Sequence, residues 1–244
     1  MLDLAVTNNI AWYSAIFRAH RLPNRIDEHY WVSDAQPPPY YSNLVTRTRG
    51  ESARVAQLKR LSELSTPASG RSFGFKDAFD ELPQAALESL GFSLLFRATW
   101  YGWAAADDHS EAETSLIAQR VENERELFDW EECWRESSPA GKPRVFPELV
   151  LSDRSLELFT LELDGRKAGG FALNHSDGAL GLSNVFRLDN VALDDGVFIR
   201  ECARHARRLH ADRPVVGYGS EAVLRELAAL GFVALGPLAV WVSR

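Results

Sequence analysis

Two short strings occur twice at nearly one spacing, and that repetition constrains the fold more than any other feature of the chain. Ser42-Asn43 returns as Ser183-Asn184, and Leu90-Gly91-Phe92 returns as Leu230-Gly231-Phe232, which are shifts of 141 and 140 residues (43 to 184, 91 to 231). Between the anchors one order of elements is expected in both halves: an apolar strand, a helix, a second strand, a short helix closed by Leu-Gly-Phe, and a last strand containing Trp. Matched order at matched spacing is the mark of an internal duplication. The chain therefore reads as a partial N-terminal lobe over residues 1–106, a polar linker over 107–113 and a C-terminal lobe over 114–244.

In the first half, Ile10, Tyr13, Ile16 and Phe17 recur at helical spacing, and Pro23 ends the segment. Strands are expected near residues 29–35, 40–47, 72–75 and 92–103, with the Pro37-Pro38-Pro39 run as an extended connection. Helices are expected around Leu58, Leu61 and Leu64 and over 81–90. In the second half a strand near 115–121 and a helix near 125–135 precede two hairpins. The turns of those hairpins are Asp164-Gly165 and Ser176-Asp177-Gly178. A helix over 195–210, a strand over 215–218, a helix over 221–230 and a strand over 232–242 complete the chain.

A chain of 244 residues, 45% apolar, can bury a sizeable core. Its net charge of −7 gives no general attraction to polyanions, so neither nucleic acid nor an anionic membrane is an expected partner. Arg204, Arg207 and Arg208 are expected on the solvated side of a helix whose apolar stripe is Phe198, Cys202 and Leu209. Two cysteines far apart make no disulfide framework, which fits a reducing cytoplasm, and no apolar run reaches the roughly 18 residues of a membrane span.

The second half, from about Ser115 onward, carries Asp164-Gly165 with Gly169-Gly170, then Gly181-Leu182-Ser183-Asn184-Val185-Phe186, then Val216-Gly217-Tyr218, and then Ala229-Leu230-Gly231-Phe232 with Gly236-Pro237. In wording and order this resembles the GNAT superfamily of acyl-CoA-dependent N-acyltransferases, and the whole chain is similar to its two-lobed, tandem members. The resemblance implies an α+β fold of two GNAT-like lobes, each a mixed, mainly antiparallel sheet flanked by helices. It also implies acetyl-CoA, or another acyl-CoA, as co-substrate, and a small-molecule amine or protein amine as acceptor. The pantetheine arm would lie along the strand at Asn184, Val185 and Phe186, and the pyrophosphate would sit at the next helix N-terminus near Asp195 and Gly196.

The family's phosphate loop begins with Arg or Gln and continues with glycines. Arg187 and Ala192 match that pattern, whereas Asn190 stands at a glycine position. Asp189, Asp194 and Asp195 add negative charge where a pyrophosphate would dock. Two readings of the loop stand: a modified cofactor loop, or a helix cap in which Asp194 or Asp195 satisfies free NH groups. The equivalent first-half loop, Arg47-Thr48-Arg49-Gly50-Glu51-Ser52, keeps the Arg and the Gly.

The family's Tyr proton donor is replaced by Leu227, and Tyr218 is the nearest substitute as a catalytic acid. Glu157, Glu162 and His175 are available as bases, with the two glutamates expected to face solvent. The six histidines lack the short spacings of a metal motif, so no metal is expected, and Cys202 with His205 reads as amphipathic packing. The pairs Tyr40-Tyr41 and Trp100-Tyr101 read either as core or as the wall of an aromatic substrate pocket. The functions left open are acyl transfer from coenzyme A to a primary amine, a CoA-dependent reaction without an amine acceptor, and a non-catalytic module binding a small molecule or protein partner.

Overall fold

A computed structural model describes residues 1–64, 73–104, 116–136, 144–189 and 191–243. The expected linker and Asn190 lie outside the described residues. The first helix, α1 (Leu2–Ala19), buries the expected stripe but begins at Leu2 rather than near Ile10. Asn8 and Asn9 interrupt the apolar pattern, yet Asn8 is buried because its amide donates to Asn174 O at 3.1 Å and Ser176 Oγ at 2.9 Å.

The other first-half elements are β1 (Arg25–Ile26), β2 (Tyr30–Val32), β3 (Leu44–Thr46), α2 (Glu51–Leu64), β4 (Gly74–Asp77), α3 (Gln84–Ser89) and β5 (Phe92–Trp103). The second half contains β6 (Leu116–Arg120), α4 (Glu124–Glu136), a 3-10 helix (Glu148–Ser152), β7 (Leu156–Leu163), β8 (Arg166–Ser176) and β9 (Ala179–Arg187). It continues with α5 (Asp195–Leu209), β10 (Val215–Gly219), α6 (Glu221–Ala228) and β11 (Val233–Ser243). The β7–β8 turn places Asp164 at φ 51° and Gly165 at φ 73°, the pair of positive angles that a two-residue hairpin of type I′ requires.

Among the described residues, eleven strands form one sheet in the order β1-β2-β3-β4-β11-β5-β10-β9-β8-β7-β6. Apart from the edge strand β6, the order is symmetric about the β11–β5 boundary, because β3 and β4 correspond to β9 and β10, and both pairs run parallel. The last strand of each half is exchanged: β5 pairs with β10 of the second half, and β11 pairs with β4 of the first.

The register of the central pair is symmetric under the shift that the repeated strings share. Ala98 faces Leu238, its own counterpart at a shift of 140 (98 to 238). The same shift converts Thr99↔Pro237 into Arg97↔Ala239, Trp100↔Gly236 into Phe96↔Val240, and Tyr101↔Ala234 into Leu94↔Trp241. Even the two irregularities correspond, since the register skips Leu95 on one strand and Leu235 on the other.

Packing follows the exchange. Tyr101 and Trp103 from β5 join the second-half core of Phe171, Leu180, Phe198 and Cys202 beneath α5. Trp241 from β11 joins the first-half core of Leu61, Phe75, Leu87 and Phe92, stacked on Phe75 at 6.3 Å. Arg207 departs from expectation: it is buried, with its guanidinium 3.7 Å from the Trp103 ring centroid and donating to Leu230 O at 3.2 Å. A planar cation can be buried on an indole face in this way, and helical spacing alone does not reveal that a Trp from another element will cover it.

Candidate functional site

Strands β9 and β10 are paired only where Leu180 meets Val215 and Gly181 meets Val216. Beyond that point they diverge, and residues 182–186 have no partner on β10. Opposite β8, the register passes from Ala172↔Ser183 to Gly170↔Phe186, so Asn184 and Val185 are bulged, with Asn184 at φ 50°. A short left-handed excursion within a strand turns backbone groups away from the ladder. The opening it creates is a cavity of about 320 Å³ between the sheet and α1.

The cavity walls are aromatic. Tyr13, Tyr40, Tyr41, Trp100, Tyr101 and Tyr218 line it, together with the backbone edge of Ser183, Asn184 and Val185. The two aromatic pairs singled out in the sequence therefore face the cavity as well as packing: Trp12 Nε1 donates to Tyr41 Oη at 3.0 Å, and Trp100 meets Tyr218 edge to face at 5.3 Å. Burial pushes the phenols of Tyr41, Tyr101 and Tyr218 up, which keeps each protonated at neutral pH. Gly181 is required at the floor, because a Cβ there would lie 2.1 Å from both Asn8 Oδ1 and Asn174 Oδ1.

Behind the wall lies Lys76, which periodicity on β4 does not reveal. Its side chain is almost wholly buried, its Nζ donates to Asn9 Oδ1 at 2.9 Å, and it sits 4.2 Å from the Tyr218 ring centroid and 5.0 Å from that of Tyr13. Burial pushes its pKa down.

The proposed pyrophosphate seat is filled by the protein's own groups. Asp194 is the N-cap of α5, its carboxylate accepting from Gly196 N at 2.8 Å and Val197 N at 3.4 Å. Arg187 turns back on its own loop, donating to Asp195 and to the carbonyls of Leu188 and Val191 at 3.0 and 3.2 Å. A Cβ on Gly196 would meet the Glu226 carboxylate at 2.3 Å, so a further acid stands over this helix start. The helix start is thus acidic and capped, whereas the strand edge at Asn184 and Val185 lies open to the cavity. Leu227, at the position of the family's acid, is fully buried.

The first-half counterpart of the opening is closed. Asn43 donates its backbone N–H to Gly74 O at 2.7 Å and accepts from Ser33 N at 2.8 Å, and its amide donates to Ser33 O and Ala35 O. In the first-half loop, Gly50 takes φ 98°, and Arg49 pairs with Asp3 and lies over Phe79.

Of the candidate bases, Glu162 accepts from Gln119 at the exposed sheet edge. Glu157 does not face solvent as expected: its side chain is 13% exposed and bonded to His175, His210 and Arg120. Residue alternation places that face outward from the sheet, but α5 covers it, which strand periodicity cannot show. His205 packs edge-on between Phe159 and Phe171, as amphipathic packing predicts.

No protein-family model and no curated protein match this chain. Solved structures do match in fold. A GCN5-related N-acetyltransferase from Kribbella flavida superposes with a TM-score of 0.64 at 13% identity, covering 96% of this chain and 95% of its own. A functionally unknown conserved protein from Staphylococcus epidermidis gives 0.63 at 14% identity, covering 93% and 96%. A GCN5-related N-acetyltransferase from Sphaerobacter thermophilus gives 0.56 at 11% identity, covering 88% and 75%. The chain has the GNAT fold over most of its length.

Proposed function

We propose that the chain is an acyltransferase that moves an acetyl or similar acyl group from coenzyme A to a primary amine within the opening between β9 and β10. The observation that carries this reading is the bulged, unpaired edge at Asn184-Val185 facing an aromatic-walled cavity that also contains Tyr218. Such an edge offers backbone hydrogen bonds to an amide-bearing arm, as a sheet edge does to an added strand. The amine nitrogen attacks the thioester carbonyl carbon, the C–N bond forms and the C–S bond breaks. Tyr218 gives its phenolic proton to the leaving thiolate and recovers one from solvent, while the product nitrogen releases its surplus proton to solvent. Burial keeps that phenol protonated at neutral pH, the state a donor needs, while making it a weaker acid than a free tyrosine.

A second reading, a non-catalytic module, is favoured by the capped helix and by Leu227 in place of the acid. Calorimetric titration with acetyl-CoA separates the two, using the parent and the Asp194→Asn/Asp195→Asn variant. Asn keeps the cap while removing two charges, one of them the ion-pair partner of Arg187. The acyltransferase reading expects binding to both proteins, about fivefold or more tighter in the variant, with the gain shrinking at high salt. Negligible heat from both proteins, with no thiol release across a panel of primary amines, would leave only the module.

A further inference from the structure

On the face of the sheet opposite the cavity, three side chains scattered in sequence converge. Glu157 lies near the start of β7, His175 near the end of β8, and His210 is the C-cap residue of α5. His175 Nε2 is 2.9 Å and His210 Nε2 3.1 Å from the same oxygen, Glu157 Oε2, and the two imidazole centroids are 4.6 Å apart with planes at 83°. The potential ligand atoms all lie within 4.8 Å of one another. We propose that Glu157, His175 and His210 form a binding site for a divalent transition-metal ion of the Zn²⁺ class.

The geometry is close to what such an ion needs. Tetrahedral zinc with bonds of about 2.0–2.1 Å to nitrogen and oxygen holds its ligand atoms about 3.3 Å apart, so small rotations of the two rings open the space. Two imidazoles and one carboxylate leave a fourth position for water. The ligands are preset by backbone: His175 N donates to Ser155 O at 2.8 Å, His210 N to Ala206 O at 3.1 Å, and Arg213 N to His210 O at 3.1 Å. Arg120 Nη1, 3.3 Å from Glu157 Oε1, engages the other carboxylate oxygen as an outer-shell partner and leaves Oε2 for the ion. Side-chain exposures of 13% for Glu157, 21% for His175 and 25% for His210 give the ion a path from solvent.

Asn174 and His175 alternate to opposite faces of β8, so the ion would lie away from the cavity. It would clamp β7, β8 and the end of α5 together rather than touch a transferred group. A nitrogen-rich set selects Zn²⁺ over Mg²⁺.

The test is titration of the chelator-treated full chain with Zn²⁺ and with Mg²⁺, alongside His210→Ala and Glu157→Gln. One Zn²⁺ per chain is expected, together with tetrahedral Co²⁺ absorption bands, no Mg²⁺ binding, and affinity about tenfold or more weaker in either variant. Zn²⁺ should raise the thermal midpoint of the parent alone. Equal Zn²⁺ affinity in parent and variants would overturn the site, as would the absence of tetrahedral Co²⁺ bands. If His210→Ala fails to fold, Glu157→Gln, which keeps shape and hydrogen-bonding capacity, decides the matter by itself.

Discussion

Lys76 and Tyr218 occupy equivalent positions in the two halves, since Lys76 faces Val240 as Tyr218 faces Trp100, and they meet at the cavity wall. A buried ammonium held by one amide oxygen and aromatic faces carries a desolvation cost that its partners offset only in part. Its pKa is lowered from 10.5. Over the pH range between its folded value and 10.5 the unfolded chain binds more protons, so the lysine's contribution to stability grows as pH rises through that window and is lost as pH falls through the folded value. Replacing Lys76 with Met removes this term. Urea midpoints of parent and Lys76→Met, compared from neutral pH to about pH 10, should show the parent gaining on the variant as pH increases. A constant gap between the two curves would contradict the burial argument.

At the scale of elements, the cap of α6 shows what local sequence can specify. Gly231 N donates to Ala228 O at 3.0 Å and Phe232 N to Leu227 O at 3.2 Å, the paired bonds of a Schellman motif, with Gly231 at φ 83°. A Cβ at Gly231 would find Trp103 no nearer than 3.7 Å, so substitution strains the backbone without a clash. Gly231→Val should cost about 1 kcal/mol or more, with Asn better tolerated, read from denaturant midpoints. An unchanged midpoint for the Val variant would remove the capping role. Gly231, the Asp164-Gly165 turn and the full span of β5 were legible because each rests on a local conformational demand. The start of α1, the stacked Arg207 and the enclosed Glu157 were not, because a partner distant in sequence decides each of them. The same division runs through the site. The bulged strand could be placed by its wording, whereas Lys76 and the Asp195 partner of Arg187 are visible only after folding.

At the scale of the whole molecule, the exchange of β5 and β11 makes each half incomplete without the other. Neither half owns the strand that covers its own β4 or β10, and each core holds aromatic side chains from the opposite half. Unfolding should therefore be a single transition despite the two-part sheet. Calorimetric and van't Hoff enthalpies should agree, whereas two resolved transitions would show independent lobes. The arrangement has the form of a strand-swapped pair, with the boundary between the halves lying in the middle of one sheet. Covalent linkage lets the two halves differ. One half closes around Asn43 while the other keeps Asn184 bulged, a difference that a symmetric pair of identical chains could not hold.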